Sequence, residues 1–342
     1  MRLSAQFRRP LLILGALALA LPLLGQPALG QEQKTIRIST PSVPEEWNAL
    51  MLDMFKVWLE KSAPGQFDVE IHLNATLFAQ GTEIAAMQRG NLEVGLISAQ
   101  DISRQLPEWS IFTAGYLLRD VPHQKAVFYG PIGEELFRKV ADEMDLEILA
   151  VSYLGTRQLN LREQLEVATP EDLAGVNLRM PGSDTWQFLG QALGANPTPM
   201  AFNEVYLGLQ TGTIDGQDNP LPTVRAAKFY EVTEQIVLTS HLVDSLFFAI
   251  AKPFYDGLTP GQQIRVRSAA RAATMFNDQN VLLEEQENVA FLEEQGLVVT
   301  TPDVDAFRER VQQMYLESEY SKDWPEGLLD RINATQAPAQ PQ

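Results

Sequence analysis

Residues 194–220 of the chain read GANPTPMAFNEVYLGLQTGTIDGQDNP. Asn203 in this stretch has a side chain suited to the N-cap of a helix, and apolar residues at helical spacing follow it as far as Gly212. Glycine ends a helix readily because it adopts positive φ without strain. Residues 215–220 are rich in Asp, Gly and Asn, which is typical of a polar turn leaving a strand. The stretch therefore predicts a short helix, a short strand and a turn whose amides can donate to a carboxylate or a hydroxyl.

An earlier stretch repeats this pattern. Residues 88–93 (QRGNLE) and 210–215 (QTGTID) share the order Gln-x-Gly-x-apolar-acid. In both, a helix is predicted to end at the glycine and a short strand to follow. Two α/β units of similar topology would produce such a repeat, and the length of 342 residues allows about two domains. We therefore predict two similar lobes.

Helix and strand patterns alternate along the rest of the chain. Strands are predicted at 35–40, 67–73, 92–98, 147–153, 176–180 and 297–301, and helices at 45–61, 83–89, 132–144, 260–295 and 304–320. Such alternation with short connections implies parallel strands covered by helices. The helix over 260–295 would be about 50 Å long at about 1.5 Å per residue. It is long enough to lie across two lobes and join them.

The composition limits the classes of function. The chain has a formal net charge of −18 and contains no cysteine. A surface this acidic repels nucleic acid, and the lack of thiols excludes disulfides and thiolate metal sites. Residues 1–30 contain three arginines, then an apolar run over 11–24, then small residues at 28 and 30. This order predicts a secretory signal peptide over 1–30.

The sequence shows no catalytic motif. The three histidines, His72, His123 and His241, form no H-E-x-x-H pair. The chain also lacks a G-x-S-x-G elbow, a G-x-x-x-x-G-K-[ST] loop and a G-x-G-x-x-G turn. Most carboxylates fall on predicted helix faces, where a solvated role is expected. We therefore predict no catalytic residue, no metal site and no cofactor.

Two arginines follow predicted strands. Arg157 comes after the strand 147–153 through a Gly-Thr pair, and Arg179 stands at the end of the strand 176–180, before a Pro-Gly turn. Open α/β sheets bind ligands at such strand ends, and a guanidinium group matches a carboxylate with two parallel hydrogen bonds. Each arginine is a candidate for binding an anion, and an ion pair with one of the 44 acidic residues is the alternative. Phe202 either packs in the core or faces a ligand.

Several motifs occur in the order and spacing of a known family. They are Gly155-Thr156-Arg157-Gln158, Asp172-Leu173-Ala174-Gly175, Leu178-Arg179-Met180-Pro181, Pro197-Thr198-Pro199-Met200, Glu204-Val205-Tyr206, Leu209-Gln210-Thr211-Gly212, Asp215-Gly216-Gln217-Asp218-Asn219-Pro220 and Lys228-Phe229-Tyr230-Glu231. With them the chain after residue 30 resembles the substrate-binding proteins of tripartite ATP-independent periplasmic (TRAP) transporters. The resemblance implies an α/β fold, a two-lobed periplasmic binding protein with mixed sheets flanked by helices and a long helix spanning both lobes.

The resemblance also implies a division of the chain. After the signal peptide over 1–30, lobe I would comprise 31–154 and about 244–285. Lobe II would comprise 155–243 and about 286–333. Residues 334–342, which are rich in Pro, Gln and Ala, are predicted to be a disordered tail.

The family pattern suggests the binding residues. Arg179 stands where the family's arginine forms a salt bridge with the substrate carboxylate, and Asn219 where an asparagine hydrogen-bonds it. Arg157 matches a second basic contact, and Phe202 a position that often walls the pocket. For the face of the other lobe we predict Ser39, Thr40, Gln100 and Trp186. The implied function is that of a periplasmic solute receptor, which delivers an organic acid to the small and large membrane subunits of a TRAP transporter.

Several alternatives stay open. The central segment is most similar to the sialic-acid-binding branch of the family, but residues 98–100 (SAQ) lack its acidic residue and residues 113–116 (TAGY) lack its proline. A sugar acid is therefore the predicted ligand, with a C4-dicarboxylate or a 2-oxo acid as the alternative. Alternatives of another kind are a secreted enzyme acting on small acids and a sensory receptor that signals to a membrane histidine kinase.

Overall fold

The computed structural model describes residues 33–337. Its strands are β1 (Lys34–Ser39), β2 (Phe67–His72), β3 (Val94–Ser98), β4 (Leu146–Leu161), β5 (Asn177–Met180), β6 (Asn196–Pro199), β7 (Gly216–Pro220), β8 (Gln235–Ala251) and β9 (Val298–Thr300). Its α-helices are α1 (Trp47–Ser62), α2 (Glu83–Gln88), α3 (Ala99–Ser103), α4 (Val121–Phe128), α5 (Pro131–Met144), α6 (Asp184–Ala192), α7 (Val205–Thr211), α8 (Leu221–Ala226), α9 (Lys252–Asp256), α10 (Pro260–Glu294), α11 (Val304–Glu317) and α12 (Leu328–Ala334). The predicted signal peptide over 1–30 and residues 338–342 of the predicted tail lie outside the described residues.

The strands form one mixed sheet in the order β2-β1-β3-β8-β4-β7-β5-β6, with β9 paired to β8. At one end β1 is parallel to β2 and β3, and at the other β5 is parallel to β6 and β7. We call these ends, with the helices packed on them, the first lobe and the second lobe. The long strands β4 and β8 run antiparallel to each other through the middle and join the lobes. The prediction of parallel strands is thus correct within each lobe and wrong for these two crossing strands.

The strand predicted for 147–153 is too short. β4 continues to Leu161, and its register with β8 shifts between Tyr153 and Gly155. Gly155 has φ of +135°, and a side chain there would meet the ring of Pro220. The Gly-Thr pair that suggested the end of a strand therefore marks a β-bulge, and the bulged strand goes on to pair with β7.

The repeat seen in the sequence corresponds to equivalent structures in the two lobes. α2 and α7 are each followed by a glycine at φ of +72°, Gly90 and Gly212. The acidic residue that comes next ties down the neighbouring strand of its lobe. Glu93 accepts a hydrogen bond from the backbone N–H of Arg37 at 2.9 Å, and Asp215 accepts one from the backbone N–H of Asn177 at 2.9 Å. The prediction of two similar lobes is confirmed.

Helix α10 connects the lobes on one side of the sheet, as predicted. It has 35 residues and begins with a capping box, in which Thr259 and Gln262 each bond the other's backbone N–H. It packs against α1 of the first lobe and α8 of the second lobe. Asp278 accepts a hydrogen bond from Tyr153 N at 2.7 Å, and Glu285 accepts one from Thr156 N at 2.5 Å. The long helix therefore holds β4 on both sides of its bulge.

Four clusters of buried apolar side chains stabilise the lobes, two on the first lobe and two on the second. Leu328 and Ile332 of α12 pack in a first-lobe cluster together with Trp109. The predicted division of the chain had placed 328–333 in the second lobe. Over residues 33–337, none of the helices combines the length and the apolar content needed to cross a membrane.

Candidate functional site

A cavity lies between the two lobes where strands from both end. Its first-lobe lining is Thr40, Pro41, Ser42, Glu46, Gln80, Gly81, Glu83, Leu96, Ser98, Gln100 and Asp101. The second lobe contributes Arg179, Pro181, Phe202, Asn219 and Thr223, and the crossing strands contribute Leu154, Arg157, Asp244 and Leu246. Most of the predicted site residues therefore come together at one place.

Arg179 is a buried cation without an acidic partner. It lies in β5 and is 1% exposed. Its Nε donates to Met200 O at 2.9 Å, and its Nη2 lies 3.4 Å from Gln80 Oε1. Among residues 33–337, no carboxylate oxygen lies within 4.0 Å of its guanidinium nitrogens. Burial lowers the pKa of Arg179 to about 9, although Asp218 acts in the opposite direction. The side chain is still charged near neutral pH, and it lines the cavity.

Arg157, in contrast, is already paired. Its Nε donates to Asp244 Oδ2 at 2.7 Å, and its Nη1 donates to Asp218 O at 2.8 Å and lies 3.3 Å from Asp218 Oδ2. Its guanidinium stacks over the Trp186 ring at 4.3 Å from the ring centroid. Burial alone would lower the pKa of Arg157, but Asp218 and Asp244 outweigh it and raise the pKa above the ordinary value. The ion-pair alternative therefore holds for Arg157, which nevertheless lines the cavity.

Strand β7 supplies Asn219 and a buried acid. Asn219 Oδ1 accepts from Arg157 Nη1 at 3.2 Å, and its Nδ2 donates to Gln217 Oε1 at 2.6 Å. One N–H of the Asn219 amide is left for a ligand. Asp218 is fully buried and lies 3.2 Å from His241 Nε2. Burial would raise the pKa of Asp218, but Arg157 and the His241 contact hold it below its usual range.

Phe202 both packs and walls the cavity. Its ring lies edge-on to Phe229 at 5.8 Å between centroids, and the residue lines the cavity. Its backbone N–H donates to Gln80 Oε1 at 2.9 Å. Phe202 therefore both packs in the core of the second lobe and faces the cavity.

Two of the four residues predicted for the first-lobe face line the cavity. Thr40 and Gln100 line the cavity. Ser39 does not, because it is the last residue of β1 and is fully buried in the sheet. Trp186 does not either, because it is 2% exposed and lies under Arg157. Trp186 therefore supports an arginine of the site instead of facing the cavity.

Sequence reasoning missed nine of the eleven first-lobe cavity residues, among them Gln80, Glu46, Glu83 and Asp101. Gln80 lies in the irregular segment between β2 and α2, where no periodic pattern exists to place it. The three acids stand at or beside helix starts, where an acidic residue is expected for capping alone. The sequence therefore does not show that these acidic side chains face a cavity.

Polar contacts cross the mouth of the cleft. Gln100 Oε1 accepts from Ser183 Oγ at 2.7 Å. Arg104 Nη2 donates to Gly182 O at 3.0 Å, and its Nη1 lies 3.3 Å from Gly81 O within its own lobe. Together with the Gln80 contact to Phe202, these bonds hold the lobes against each other over the cavity. In the described part of the chain, no group of three or more His, Asp or Glu residues is placed to hold a metal ion.

The fold and the site are typical of a class of protein, the two-lobed receptors for small solutes: a cavity lies between the lobes, and a buried arginine lines it. The family model described as bacterial extracellular solute-binding protein, family 7, matches residues 42–322, and the chain belongs to this family. The family consists of solute-binding receptors, not enzymes. The predicted resemblance to TRAP substrate-binding proteins is thereby confirmed.

Three similar proteins illustrate the family. A crystal structure of a TRAP periplasmic solute-binding protein from Roseobacter denitrificans has 50% sequence identity and a TM-score of 0.86, covering 89% of this chain and 100% of that chain. A second TRAP protein from the same bacterium has 26% identity and a TM-score of 0.81, covering 89% of this chain and 99% of that chain. The sialic acid-binding periplasmic protein of Vibrio cholerae is 29% identical over 76% of this chain and 80% of its own length.

Proposed function

We propose that this chain is the periplasmic receptor of a TRAP transporter for a sugar acid, whose carboxylate pairs with Arg179 in the cleft. The observation that carries the proposal is the buried guanidinium of Arg179, which lacks a carboxylate partner among the described residues. A ligand carboxylate would supply the missing charge through two charge-assisted hydrogen bonds. Exclusion of water from the cleft would strengthen this pair, because Coulomb attraction grows as the local dielectric constant falls.

The ligands of similar proteins support a sugar acid. The R. denitrificans structure at 50% identity holds 3-deoxy-D-manno-oct-2-ulosonic acid, and the second structure from that bacterium holds L-galactonate. The V. cholerae relative is named for sialic acid. All three ligands combine one carboxylate with several hydroxyl groups. We therefore take 3-deoxy-D-manno-oct-2-ulosonic acid as the first ligand to test.

The remaining polar groups of the cavity suit such a ligand. The free N–H of Asn219 is available to the carboxylate or to a hydroxyl beside it. Thr40 and Gln100 of the first lobe offer groups that both donate and accept hydrogen bonds, as hydroxyls require. A ligand held by Arg179 on one side and by these residues on the other contacts both lobes. Its binding energy would therefore favour the closed arrangement over an open one.

Capture of this kind serves transport. The predicted signal peptide over 1–30 would direct the chain to the periplasm, where the closed receptor would meet the small and large membrane subunits of the transporter. The division of the chain into lobes at about 154, 243 and 285 belongs to the same proposal, with 328–333 moved to the first lobe because Leu328 and Ile332 pack there. The bulge in β4 beside Gly155 lies at the first of these boundaries and gives the crossing strand a place to bend.

The test is calorimetric titration of 3-deoxy-D-manno-oct-2-ulosonic acid into the wild type and into Arg179→Ala. We expect the variant to fold, because Arg179 is not part of an ion pair, and to lose about 2–5 kcal/mol of binding free energy. Arg138→Ala is the matched control, since Arg138 is an exposed arginine of α5 outside the cavity lining. The proposal fails if Arg179→Ala, shown to be folded by circular dichroism, binds as tightly as Arg138→Ala.

A further inference from the structure

The charges that line the cavity are distributed unevenly between the lobes. Three carboxyl groups, those of Glu46, Glu83 and Asp101, come from the first lobe. The two guanidinium groups come from the second lobe and from the crossing strand β4. A fourth carboxyl group of the lining, that of Asp244 on β8, is paired with Arg157. A ligand that spans the cleft therefore meets Arg179 on the second-lobe side and Glu83 and Asp101 on the first-lobe side.

Of the two guanidinium groups in the cavity, Arg179 alone is available to pair with a ligand carboxylate in the described part of the chain. Asp244 and Asp218 already lie within hydrogen-bond distance of Arg157, at 2.7 Å and 3.3 Å. Arg179 is left as the guanidinium without an acidic partner among residues 33–337. A second carboxylate on the same ligand would thus have to sit towards the first lobe.

On that side of the cavity, the carboxyl groups of Glu83 and Asp101 accept hydrogen bonds from residues two or three positions before them in the chain. Glu83 is 3% exposed, and its Oε2 accepts from Gly81 N at 2.7 Å. Asp101 Oδ2 accepts from Ser98 N at 3.1 Å and from Ser98 Oγ at 2.7 Å. Over the described range, no lysine or arginine nitrogen lies within 4.0 Å of either carboxyl group. Within residues 33–337, Asp101 Oδ1 has no hydrogen-bond partner.

The nearby cation Arg104 does not pair with either carboxyl group. It only partly opposes the rise that burial causes in the pKa of Asp101, and its guanidinium is directed to two backbone carbonyl oxygens, those of Gly182 and Gly81. Burial, with Asp101 as the next cause, raises the pKa of Glu83 to about 8, and burial raises the pKa of Asp101. Near neutral pH the Glu83 carboxyl group therefore retains its proton and can donate to a ligand hydroxyl, while carboxyl oxygens of both residues can accept from one.

We propose that Glu83 and Asp101 make the receptor selective for sugar acids with a single carboxylate, because they bind the hydroxyl-bearing end of the ligand and disfavour a second carboxylate there. This inference rests on the proposed function, since it takes Arg179 as the site of the first carboxylate. It favours the sugar acid over the C4-dicarboxylate, one of the alternatives that the sequence leaves open. A C4-dicarboxylate would bring two anionic groups into a cavity in which, among residues 33–337, only Arg179 offers a guanidinium without an acidic partner.

The test compares ligands that differ in one group. Galactarate carries a carboxylate where galactonate carries its terminal CH2OH, so the pair isolates the second charge. We define the selectivity as the affinity for the tighter of galactonate and 3-deoxy-D-manno-oct-2-ulosonic acid, divided by the affinity for the tighter of galactarate and succinate. Titration calorimetry near pH 7.5 should give the wild type a selectivity of at least about a hundredfold, because like charges placed together are strongly disfavoured.

The variant is the double substitution Glu83→Gln and Asp101→Asn, which preserves side-chain shape and removes both ionisable groups. We expect its selectivity to fall at least about tenfold, because the sugar acid loses charge-assisted hydrogen bonds and the dicarboxylate loses repulsion. Glu287→Gln with Glu294→Gln is the matched control, since both residues are exposed on α10 and outside the cavity lining. This control should keep the wild-type selectivity.

Asp101 also caps α3, so Glu83→Gln alone provides a second test if the double variant does not fold. Its amide oxygen can still accept from Gly81 N, and its selectivity should fall at least about threefold through weaker binding of the sugar acid. The inference is overturned if the wild type binds a dicarboxylate as tightly as a sugar acid, or if folded variants keep the wild-type selectivity. If the wild type binds none of the four acids, the proposed function itself is wrong, which is a different result.

Discussion

The two lobes face one cavity with opposite chemistry. The second lobe and the crossing strands present Arg179, Asn219 and Arg157, all on β-strands. The first lobe presents Glu46, Glu83 and Asp101, all at or beside the start of a helix. A strand in the middle of a sheet fixes a side chain firmly, which suits the recognition of a group that every ligand shares. Helix starts joined by irregular segments accept substitutions more easily, which suits recognition of the part in which ligands differ.

The difference is local, because the lobes are otherwise built alike. Glu93 and Asp215 occupy equivalent places after Gly90 and Gly212, and each holds a neighbouring strand through a backbone N–H. The shared framework therefore does not dictate the charge of the cavity. The few residues at the ends of the strands and helices do.

The largest effect on stability is expected in the second lobe. Asp218 is fully buried between Arg157 and His241, so Asp218→Asn would remove one of the two acidic partners of a buried arginine and leave it with Asp244. We expect the free energy of unfolding to fall by about 3–5 kcal/mol. The matched change in the first lobe is Glu93→Gln, which breaks the partly exposed pair with Arg37. That change should cost only about 1 kcal/mol.

Urea denaturation of the two variants measures this contrast. Equal losses of unfolding free energy would mean that the buried Asp218 network of the second lobe contributes no more to stability than the partly exposed Arg37–Glu93 pair of the first lobe, and would contradict the prediction.

A smaller effect, with a distinct dependence on pH, is expected in the first lobe. Burial, followed by Asp101, raises the pKa of Glu83 in the folded protein to about 8, from an ordinary value of 4.5. The folded state therefore binds a proton that the unfolded chain releases at lower pH, so this group destabilises the fold increasingly as pH rises from about 4.5 to about 8. The accumulated loss is on the order of a few kcal/mol.

Thermal unfolding of the wild type and of Glu83→Gln across this range tests the sign. The Tm of Glu83→Gln should fall less between about pH 5.5 and about pH 8 than that of the wild type, because the glutamine does not titrate. Glu294→Gln is the control and should follow the wild type. Parallel curves for all three proteins would show that Glu83 does not titrate in this window.

The long helix, the two lobes and the place of Arg179 were readable in the sequence. The crossing strand β8 was not predicted, and residues 216–220, predicted as a turn, form β7. The apolar period of α10 runs without Gly or Pro from Gln262 to Gln295, and the glycines after α2 and α7 mark helix ends. Arg179 could be placed because its strand does end before Pro181. The family pattern correctly predicts Arg157 at the cavity. The argument that Arg157 follows the end of a strand is wrong, because β4 continues to Leu161. The Gly-Thr pair before it is a bulge within β4 and not the end of a strand.

The acidic end of the site could not be predicted, for a physical reason. Whether a helix-start carboxylate is solvated or faces a cavity depends on which element packs over it, and that is set by residues far away in the chain. Glu83 is buried although its position in the first turn of α2 is equally typical of an exposed residue. Trp186 and Ser39 were misplaced for the same reason, since the sequence near them does not say which side chain reaches the cavity.

The most direct test of the central claim is a crystal structure of the wild-type protein with 3-deoxy-D-manno-oct-2-ulosonic acid. We expect the carboxylate oxygens of the ligand to lie about 2.7–2.9 Å from the guanidinium nitrogens of Arg179, and its hydroxyl-bearing end to face Glu83 and Asp101. A ligand bound in the cleft with its carboxylate away from Arg179, or bound outside the cleft, would contradict it.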